Sequence, residues 1–412
     1  MKILVLAGGF DQIALIQELK KRGNKVLLAD YFENPPAKIY ADEFYQVSTL
    51  DVEQIFLLAK EKAVELVTTA CTDQALMTVA IVSERLHLPC YVDVDMARNV
   101  TNKAYMKEKF RNNDIPSAKS YIIESGDESI IEKFPVQRDF SYIVKPCDCN
   151  SSKGVIKVNN KLELKNAINN ALLLSRSKKA IVESFIPGDE LSIDAWVLEG
   201  KAQIIAISKT IKMKEYKDSF TIYKSEFPVS LTNAMKDKIQ RIVNKVCSAF
   251  ELKNCPLLVQ GILEHDNFWI VEFSTRMGGG SKYRFIQYVS GINIMQKYVD
   301  FILGEDLIVL SPIKPKEYYE MDYIYAYNGR IKEISNFDEL LEKGQIEEVF
   351  YYKTKGDVIT GKKVSGDRVL GLLLTGKNLY DINSKRRTIF NKVAIIDDTG
   401  KDIMYRKCFV EK

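Results

Sequence analysis

The sequence predicts a multidomain protein of the α/β and α+β classes, with an N-terminal doubly wound parallel sheet and a small β-rich C-terminal domain. Three observations support this prediction. The chain has 412 residues, more than one hydrophobic core accommodates. Its first quarter alternates β-type runs with helical periodicity, whereas the β-type runs come in pairs farther along. The predicted domains are residues 1–98, 99–310 and 311–412.

The N-terminal domain is predicted from a regular alternation of strands and helices. A β-type run at residues 2–6 precedes Gly8-Gly9, a helix with apolar positions every three residues, and a second β-type run at 26–30. The alternation continues with helix 51–62, strand 66–69, helix 73–86 and a short strand at 90–92. Successive βαβ units imply a parallel sheet with helices packed on it.

The rest of the chain is predicted to be antiparallel α+β structure. The predicted segments are helix 102–112, strands 119–124, 141–145 and 154–158, helix 161–176, strands 180–186, 191–198 and 201–208, helix 232–250, a hairpin at 257–273 and helix 291–303. After Pro312 and Pro315, short strands with glycine-containing turns predict the β-rich domain.

Composition argues against a membrane protein and against a disulfide-stabilised secreted protein. Hydrophobic residues make up 46% of the chain, but no run approaches the roughly 18 apolar residues of a membrane span. The seven cysteines include no C-x-x-C pair, so a cytoplasmic location is expected.

The charge and the histidine content limit the kinds of partner and catalytic chemistry that are expected. The 59 basic residues are interspersed with 55 acidic ones, so no nucleic-acid partner is expected. The two histidines, His87 and His265, are too few for a histidine-rich zinc site and argue against Ser-His-Asp catalysis. We therefore expect chemistry based on lysine, arginine and carboxylates.

The predicted hairpin of the middle domain carries the most informative polar residues. If its turn has three residues, Gln260 lies directly opposite Glu272. Ser274 and Arg276 then follow on the same face. A glutamate beside an amide oxygen suits a nucleotide-bound Mg²⁺, and Gly278-Gly279-Gly280 lets backbone N–H groups approach an anion. The alternative is an exposed hairpin whose polar face is solvated.

A strand ending in Lys145 precedes the loop Ser151-Ser152-Lys153-Gly154. A lysine at a strand end and a hydroxyl-rich loop ending in glycine can neutralise and cap phosphates. The G-x-x-x-x-G-K-[ST] motif of P-loops is absent from the sequence. A plain surface loop is the alternative.

A strand and turn at residues 181–190 have the polar groups that a nucleoside needs. Glu183 and the backbone at Phe185 and Ile186 can bind a purine, and Glu190 can accept from ribose hydroxyls. The alternative is an ordinary hairpin turn built by Pro187-Gly188.

In this order, the segments resemble the ATP-grasp superfamily over roughly residues 99–305, and the group of biotin carboxylase-like enzymes and L-amino acid ligases in particular. The resemblance implies a core of two α+β subdomains, with a lid at about residues 115–185. Lys103 and Lys145 resemble the family's two phosphate-contacting basic residues. The loop at 151–155 resembles the family's flexible phosphate loop. Residues 183–190 resemble its adenine hinge and ribose carboxylate. Residues 271–276 resemble its E-x-N-x-R strand, which binds the metal and carries the catalytic arginine.

The resemblance implies an ATP-dependent ligase that activates a small-molecule carboxylate as an acyl phosphate, releases ADP and couples the acyl group to an amine, with an amino acid or a similar compound expected. ATP and Mg²⁺ are the implied cofactors, with Mn²⁺ as an alternative metal. The resemblance does not specify the identity of either substrate or the oligomeric state, for which a homodimer is the alternative to a monomer.

The resemblance also implies a role for each site residue. Lys103, Lys145 and Lys153 would bind the phosphates. Gln260, Glu272 and Ser274 would bind the metal. Arg276 and the N–H groups of Gly278, Gly279 and Gly280 would stabilise an oxyanion. Ser274 replaces the usual asparagine and Gln260 a common glutamate, so the second metal position departs from the family pattern.

Two alternative functions remain at this point. Residues 5–9 and Asp30 suggest a nicotinamide-dependent oxidoreductase, but Asp11 and Gln12 interrupt the G-x-G-x-x-G pattern. A nucleotide-binding member of the same fold that has lost catalysis is the second alternative, and Ser274 is the feature that favours it.

Overall fold

The computed structural model describes residues 1–127, 134, 141–149, 152–213, 220–305, 312–313, 315, 317–361 and 364–409. The strands are β1 (Lys2–Leu6), β2 (Lys25–Asp30), β3 (Glu43–Gln46), β4 (Leu66–Thr68), β5 (Ser120–Glu124), β6 (Tyr142–Pro146), β7 (Ile156–Val158), β8 (Lys179–Ser184), β9 (Asp189–Leu198), β10 (Lys201–Lys212), β11 (Ile222–Phe227), β12 (Cys255–Glu264), β13 (Asn267–Ser274), β14 (Tyr318–Ile324), β15 (Gly329–Ile334), β16 (Glu348–Tyr351), β17 (Val358–Ile359), β18 (Leu370–Gly376) and β19 (Ile395–Asp397). The helices are α1 (Phe10–Lys21), α2 (Val52–Glu61), α3 (Asp73–Leu86), α4 (Val94–Thr101), α5 (Lys103–Asn112), α6 (Lys161–Leu174), α7 (Asn233–Ala249), α8 (Lys282–Ser290), α9 (Ile294–Ile302), α10 (Asp338–Glu342) and α11 (Leu379–Lys392).

The N-terminal sheet is parallel, with four strands in the order β3-β2-β1-β4. Its central strands are almost entirely apolar and buried, as expected for a sheet covered on both faces. Because β1 and β4 are neighbours, the chain segments that leave their carboxyl ends begin side by side. Helices α1 and α3 therefore start at the same edge of the sheet, which is where ligands bind in folds of this kind.

The remaining sheets are mainly antiparallel. Four strands pair in the order β5-β8-β6-β7, and a larger sheet of eight strands has the order β13-β12-β9-β10-β11-β14-β18-β16. The predicted fold class is thus confirmed. The C-terminal strands β14, β18 and β16 extend the larger sheet, so the last segment shares hydrogen bonds with the middle of the chain. The domain boundaries stay predictions. None of the helices in the described part of the chain is long and apolar enough to span a membrane.

The β12–β13 hairpin has the predicted pairing of Gln260 with Glu272, but not the predicted turn. The turn has two residues, since Glu264 pairs with Asn267, and a bulge between Gln260 and Gly261 shifts the register by one. A bulge places an extra residue on one strand, so the pairs beyond it match those of a three-residue turn. Glycine suits the bulge because a Cβ at position 261 would lie 2.3 Å from the Phe268 ring.

The structure differs from the secondary-structure prediction in several segments, among them residues 90–92, 291–303 and 379–392. Residues 90–92 form no strand: Val92 is buried in the core, and the Tyr91 ring packs edge-on against Tyr298. The predicted helix at 291–303 is the shorter α9, preceded by α8 and a left-handed Gly291. Helix α11 was not predicted, because its buried face combines two isoleucines with Arg386, which pairs with Glu320 and Asp322.

Candidate active site

A single large pocket of about 1480 Å³ gathers most of the residues singled out in the sequence. It extends from the carboxyl edge of the parallel sheet to the antiparallel sheets. The predicted site residues that line it are Lys103, Lys145, Ser152, Lys153, Glu183, Phe185, Ile186, Glu190, Gln260, Glu272, Ser274, Arg276, Gly278, Gly279 and Gly280. Ser151 lies outside the described residues. The solvated-hairpin alternative is therefore wrong, because the polar face of the hairpin lines this pocket.

The pocket has an excess of positive charge. Among the described residues, ten cationic and six anionic side chains line it, which leaves a surplus of four positive charges. The cations are Lys103, Lys107, Lys145, Lys153, Lys157, Lys209, Lys212, Arg276, Lys282 and Arg368, and the anions are Asp11, Asp73, Glu183, Asp189, Glu190 and Glu272. A cleft whose lining has a surplus of one sign of charge concentrates ligands of the other sign. The pocket therefore suits a polyanion such as a triphosphate.

Glu272 lies where the hairpin meets the start of α5. Its carboxylate is 3.2 Å from the Lys103 Nζ, which also donates to the Cys149 carbonyl at 3.1 Å. Burial alone would raise the pKa of Glu272, but Lys103 lowers it below its ordinary value. A carboxylate kept ionised beside the Gln260 amide provides oxygen ligands of the kind that Mg²⁺ prefers.

Arg276 is fixed by an aspartate from the N-terminal domain. Its Nε donates to Asp73 Oδ1 at 2.8 Å, Nη2 pairs with the other carboxylate oxygen, and Ser274 Oγ donates to the same Asp73. Burial would raise the pKa of Asp73, but Arg276 lowers it, so the pair is ionic. A bidentate contact of this kind orients the guanidinium as well as balancing its charge.

The glycine segment after Arg276 lies against the first turn of α1. The backbone N–H groups of Gly280 and Ser281 donate to the two carboxylate oxygens of Asp11, at 2.9 and 2.8 Å. The Gly280 N–H is therefore already engaged by Asp11. The predicted role of this segment as an oxyanion donor thus depends on Gly278 and Gly279.

Glu183 lies between two lysines instead of facing the pocket as a free acceptor. Its carboxylate oxygens are 2.8 Å from Lys107 Nζ and 2.6 Å from Lys145 Nζ, and all three side chains are buried. Burial alone would raise the pKa of Glu183, but the two lysines hold it at about 2. The carboxylate therefore holds Lys107 and Lys145 in place, and any contact to a purine would come from the backbone of this strand.

Glu183→Gln is expected to destabilise the protein by about 3 to 5 kcal/mol at pH 7, because it leaves two buried lysines without a counter-charge. The measurement is urea unfolding of both proteins. Glu124→Gln is the matched control: Glu124 pairs with Lys179 at the surface of the neighbouring strand, so a change of about 1 kcal/mol or less is expected. Equal effects of the two substitutions would contradict the role of Glu183.

The same contact predicts how stability depends on pH. The pKa of Glu183 falls from 4.5 to about 2 on folding, so its contribution is fully present above pH 4.5 and is lost as the pH falls toward 2. This contribution is on the order of 3 kcal/mol. The stability difference between the wild type and Glu183→Gln should therefore narrow below pH 4.5, and a constant difference would contradict this account.

Of the other predicted nucleotide-binding residues that the structure describes, all but Gly154 line the same pocket. Glu190 pairs with Lys212, and Lys157 Nζ lies 3.5 Å from the centre of the Phe185 ring. Ser152 Oγ donates to the Phe220 carbonyl at 3.2 Å. Gly154 is not among the lining residues: it has a φ of +75°, and a Cβ there would lie 2.7 Å from Leu174. The backbone conformation of the loop therefore requires a glycine at position 154.

Several pocket residues were not predicted, although the sequence contained a signal for some of them. Lys107 follows Lys103 by four residues, so both lie on one face of α5. Asp11 and Asp73 each come shortly after a strand of the parallel sheet, at its carboxyl edge. The segment that contains Arg368, residues 367–371, indicated only a likeness to the β-rich domain that ends amino-acid ligases, and the pairing of β14 with β18 brings Arg368 to the pocket.

The residues present fit a nucleotide-bound Mg²⁺. Among the described residues, no group of 3 or more histidine, cysteine, aspartate or glutamate side chains could hold a metal by itself. Mg²⁺ bound to ATP needs few protein ligands, because phosphate and water oxygens complete its octahedron. Glu272, the Gln260 amide oxygen and the Ser274 hydroxyl would supply them.

Comparison with known proteins gives a family match in the middle of the chain. Residues 138–283 match the ATP-grasp domain family. A D-alanine–D-alanine ligase from Finegoldia magna is 27% identical over 184 residues, which is 43% of this chain and 51% of that enzyme. The chain spans about half or less of the length of the curated relatives it matches first.

Solved structures match almost the whole chain. An L-amino acid ligase from Bacillus licheniformis has a TM-score of 0.77 at 17% identity, with 96% of this chain and 98% of that chain covered. The biotin carboxylase domain dimer of the Hydrogenobacter thermophilus 2-oxoglutarate carboxylase, in complex with MgADP, ADP and bicarbonate, has a TM-score of 0.75 at 17% identity, with 96% and 90% covered. These similarities establish a shared fold.

The protein has a mixed α/β fold with a lysine-rich pocket between its parallel and antiparallel sheets. Residues 138–283 match the ATP-grasp domain family, and the whole chain shares its fold with solved structures that include an L-amino acid ligase. The predicted family resemblance is confirmed. The relatives include D-alanine–D-alanine ligases and an L-amino acid ligase, and the comparisons give no support to a nicotinamide-dependent oxidoreductase.

Proposed function

We propose that this protein is an ADP-forming ligase that phosphorylates a small-molecule carboxylate with ATP and transfers the resulting acyl group to an amine. The observation that carries the proposal is the position of Glu272. Its carboxylate faces Gln260 across the hairpin and contacts Lys103, in a pocket that Arg276 and Lys145 also line. Cations and oxygen ligands thus surround one space, as transfer of a phosphoryl group requires.

In this proposal, the charged residues align the reactants and neutralise charge. Lys103, Lys145 and Lys153 bind the phosphates, and the pairs of Lys103 with Glu272 and of Lys145 with Glu183 keep these two lysines in position beforehand. The backbone at Phe185 and Ile186 binds the adenine, and Glu190 the ribose. Correct alignment of reacting groups accounts for much of the acceleration that enzymes achieve.

The second chemical step depends on Arg276. Attack of the amine on the acyl phosphate creates a negatively charged oxygen, and a donor fixed in advance stabilises it. Asp73 fixes the Arg276 guanidinium. The N–H groups of Gly278 and Gly279 are the proposed backbone donors. Gln260, Glu272 and Ser274 would hold the Mg²⁺, which neutralises phosphate charge when bound.

The proposal includes three further points. Mn²⁺ is an alternative to Mg²⁺ at the metal position, because both ions accept oxygen ligands in octahedral geometry. The protein acts in the cytoplasm, in agreement with the six cysteines that the structure describes as unpaired. A homodimer is the proposed assembly, which light scattering can test.

The experiment that tests the proposed function measures ADP and inorganic phosphate with ATP, Mg²⁺ and pairs drawn from panels of carboxylates and primary amines. The proposal predicts stoichiometric ADP and phosphate for at least one pair, together with an amide product. Release of AMP and pyrophosphate would contradict acyl phosphate chemistry. Binding of ATP without ADP release for any pair would instead indicate a protein that binds nucleotide and has no ligase activity.

A further inference from the structure

The two backbone N–H groups proposed as oxyanion donors are free of partners within the described part of the chain. No acceptor there bonds to the N–H of Gly278 or Gly279. A side chain at position 278 is excluded, because a Cβ would lie 2.9 Å from Lys282 Cγ, and the Lys282 Nζ is fixed by its bond to Ser208 Oγ at 2.6 Å. The direction of the two free N–H groups therefore depends on the residues at the two ends of this short segment.

Both ends of the segment are fixed. At the first end, Met277 is buried, and its carbonyl accepts from the Arg276 guanidinium at 2.8 Å. At the second end, Gly280 and Ser281 have left-handed backbone conformations, with φ of +73° and +58°. A left-handed conformation is uncommon for a serine, and it persists where surrounding contacts hold it. The second end thus depends on the side chains around it.

Two tyrosines of the C-terminal part of the chain hold the second end. The Tyr323 hydroxyl donates to the Gly280 carbonyl at 3.0 Å, and the Tyr352 hydroxyl donates to Ser281 Oγ at 3.0 Å. The centres of the two rings are 6.5 Å apart. Burial raises the pKa of Tyr323 to about 12, so its hydroxyl keeps the proton that it donates at neutral pH. Together with Asp11, the two phenols fix the peptide groups that follow the free N–H groups.

The support of the phosphate and metal ligands is separate from these tyrosines. Glu272 is held by its pairing with Gln260 in the hairpin and by Lys103 at the start of α5. Among the described residues, no hydrogen bond or ring contact joins Tyr323 or Tyr352 to these three side chains. A loss of the tyrosine hydroxyls should therefore affect the glycine segment and leave the phosphate and metal ligands in place.

We propose, on the basis of the proposed function, that Tyr323 and Tyr352 are positioning residues for the transfer of the acyl group to the amine. They act through the glycine segment: by fixing its second end, they direct the N–H groups of Gly278 and Gly279 at the oxygen that becomes negatively charged. A displacement of about 1 Å at a reacting group can cost roughly 100-fold in rate. The C-terminal part of the chain thereby takes part in the second chemical step, although it supplies no proposed ligand to ATP or the metal.

The test separates the two chemical steps in a single turnover. Tyr323→Phe, Tyr352→Phe and the double variant remove only hydroxyl groups and keep both rings. Each protein, in excess over ATP, is mixed with Mg²⁺ and the pair from the carboxylate and primary amine panels that gives the wild type the most amide, and the reaction is stopped at successive times. ADP reports the first step, and the amide reports the second.

The double variant should form ADP with a rate constant within about threefold of the wild type and form the amide roughly 100-fold more slowly. Acyl phosphate should accumulate in the interval between the two steps. Hydroxylamine added with the denaturing quench converts it to a hydroxamate without the help of the enzyme, so the hydroxamate measures this accumulation. Each single variant should show the same pattern with a smaller delay.

Tyr298→Phe is the matched control. Its hydroxyl is also buried and also donates to a backbone carbonyl, that of Thr69 at 2.8 Å, but it lies in α9 and bonds to residues of the parallel sheet. Both rate constants of Tyr298→Phe should equal those of the wild type. A general effect of removing a buried phenol hydroxyl would instead appear in the control as well.

The outcomes distinguish the two proposals. Equal slowing of ADP and amide formation in the double variant, an amide rate constant close to that of the wild type, or the same delay in Tyr298→Phe would overturn the positioning role while the ligase function stands. Absence of ADP and amide with every pair in the wild type would overturn the proposed function itself.

Discussion

Glu272→Gln is expected to lower ADP release by roughly 1000-fold, because several kcal/mol of charge stabilisation at the phosphates depend on the bound metal. The substitution keeps the size of the side chain and removes its charge. Lys103 keeps its bond to the Cys149 carbonyl, so the free energy of unfolding should change by about 1 kcal/mol or less. A coupled assay of ADP release and urea unfolding measure the two effects.

The control for this prediction lies on the same hairpin. Glu264 is at the far end of β12, where it accepts from the Trp269 indole N–H, a contact that a glutamine can also make. Glu264→Gln should therefore release ADP at the wild-type rate. If Glu272→Gln did the same, Glu272 would not be a ligand of the metal.

Arg276→Gln is expected to lower amide formation about 100- to 1000-fold, the loss that follows removal of one oxyanion donor. Glutamine cannot form the bidentate contact to Asp73, so the donor loses its charge and its fixed position. Amide formation with the best substrate pair is the measurement. Arg276→Lys should form the amide at a rate between those of the wild type and Arg276→Gln, since lysine restores the positive charge without the planar geometry of a guanidinium.

Arg284→Gln is the matched control for Arg276. Arg284 lies eight residues farther along the chain, pairs with Glu348 at 2.7 Å, and is not among the residues that line the pocket. Its substitution should leave the rate of amide formation unchanged. Wild-type amide formation by Arg276→Gln would show that this guanidinium does not act in the second step.

Local patterns in the sequence predicted the parts of the site that lie within single strands and loops. The face shared by Gln260 and Glu272 follows from the two-residue period of a strand. The predicted turn was one residue too long, but the bulge at Gly261 shifts the register by one residue, so the predicted pairing of Gln260 with Glu272 is correct. Lys145 was placed correctly for a similar reason, at the end of a strand that contributes to the pocket.

The contacts that join distant segments could not be predicted from such patterns. Asp73 reaches Arg276 across 203 positions, and Asp11 reaches Gly280 across 269. No local period specifies these pairs, because packing of the parallel sheet against the larger sheet determines them. The pairing of Glu183 with Lys107 and Lys145 was missed for the same reason, so Glu183 was assigned to the purine.

The most direct test of the account follows the carboxylate oxygen during catalysis. A carboxylate substrate labelled with ¹⁸O is incubated with the protein, ATP, Mg²⁺ and the amine, and the inorganic phosphate is examined by mass spectrometry. An acyl phosphate intermediate requires one labelled oxygen to pass from the carboxylate to the phosphate for each amide formed. Unlabelled phosphate accompanying the amide would contradict the account, because the carboxylate would then not have been phosphorylated.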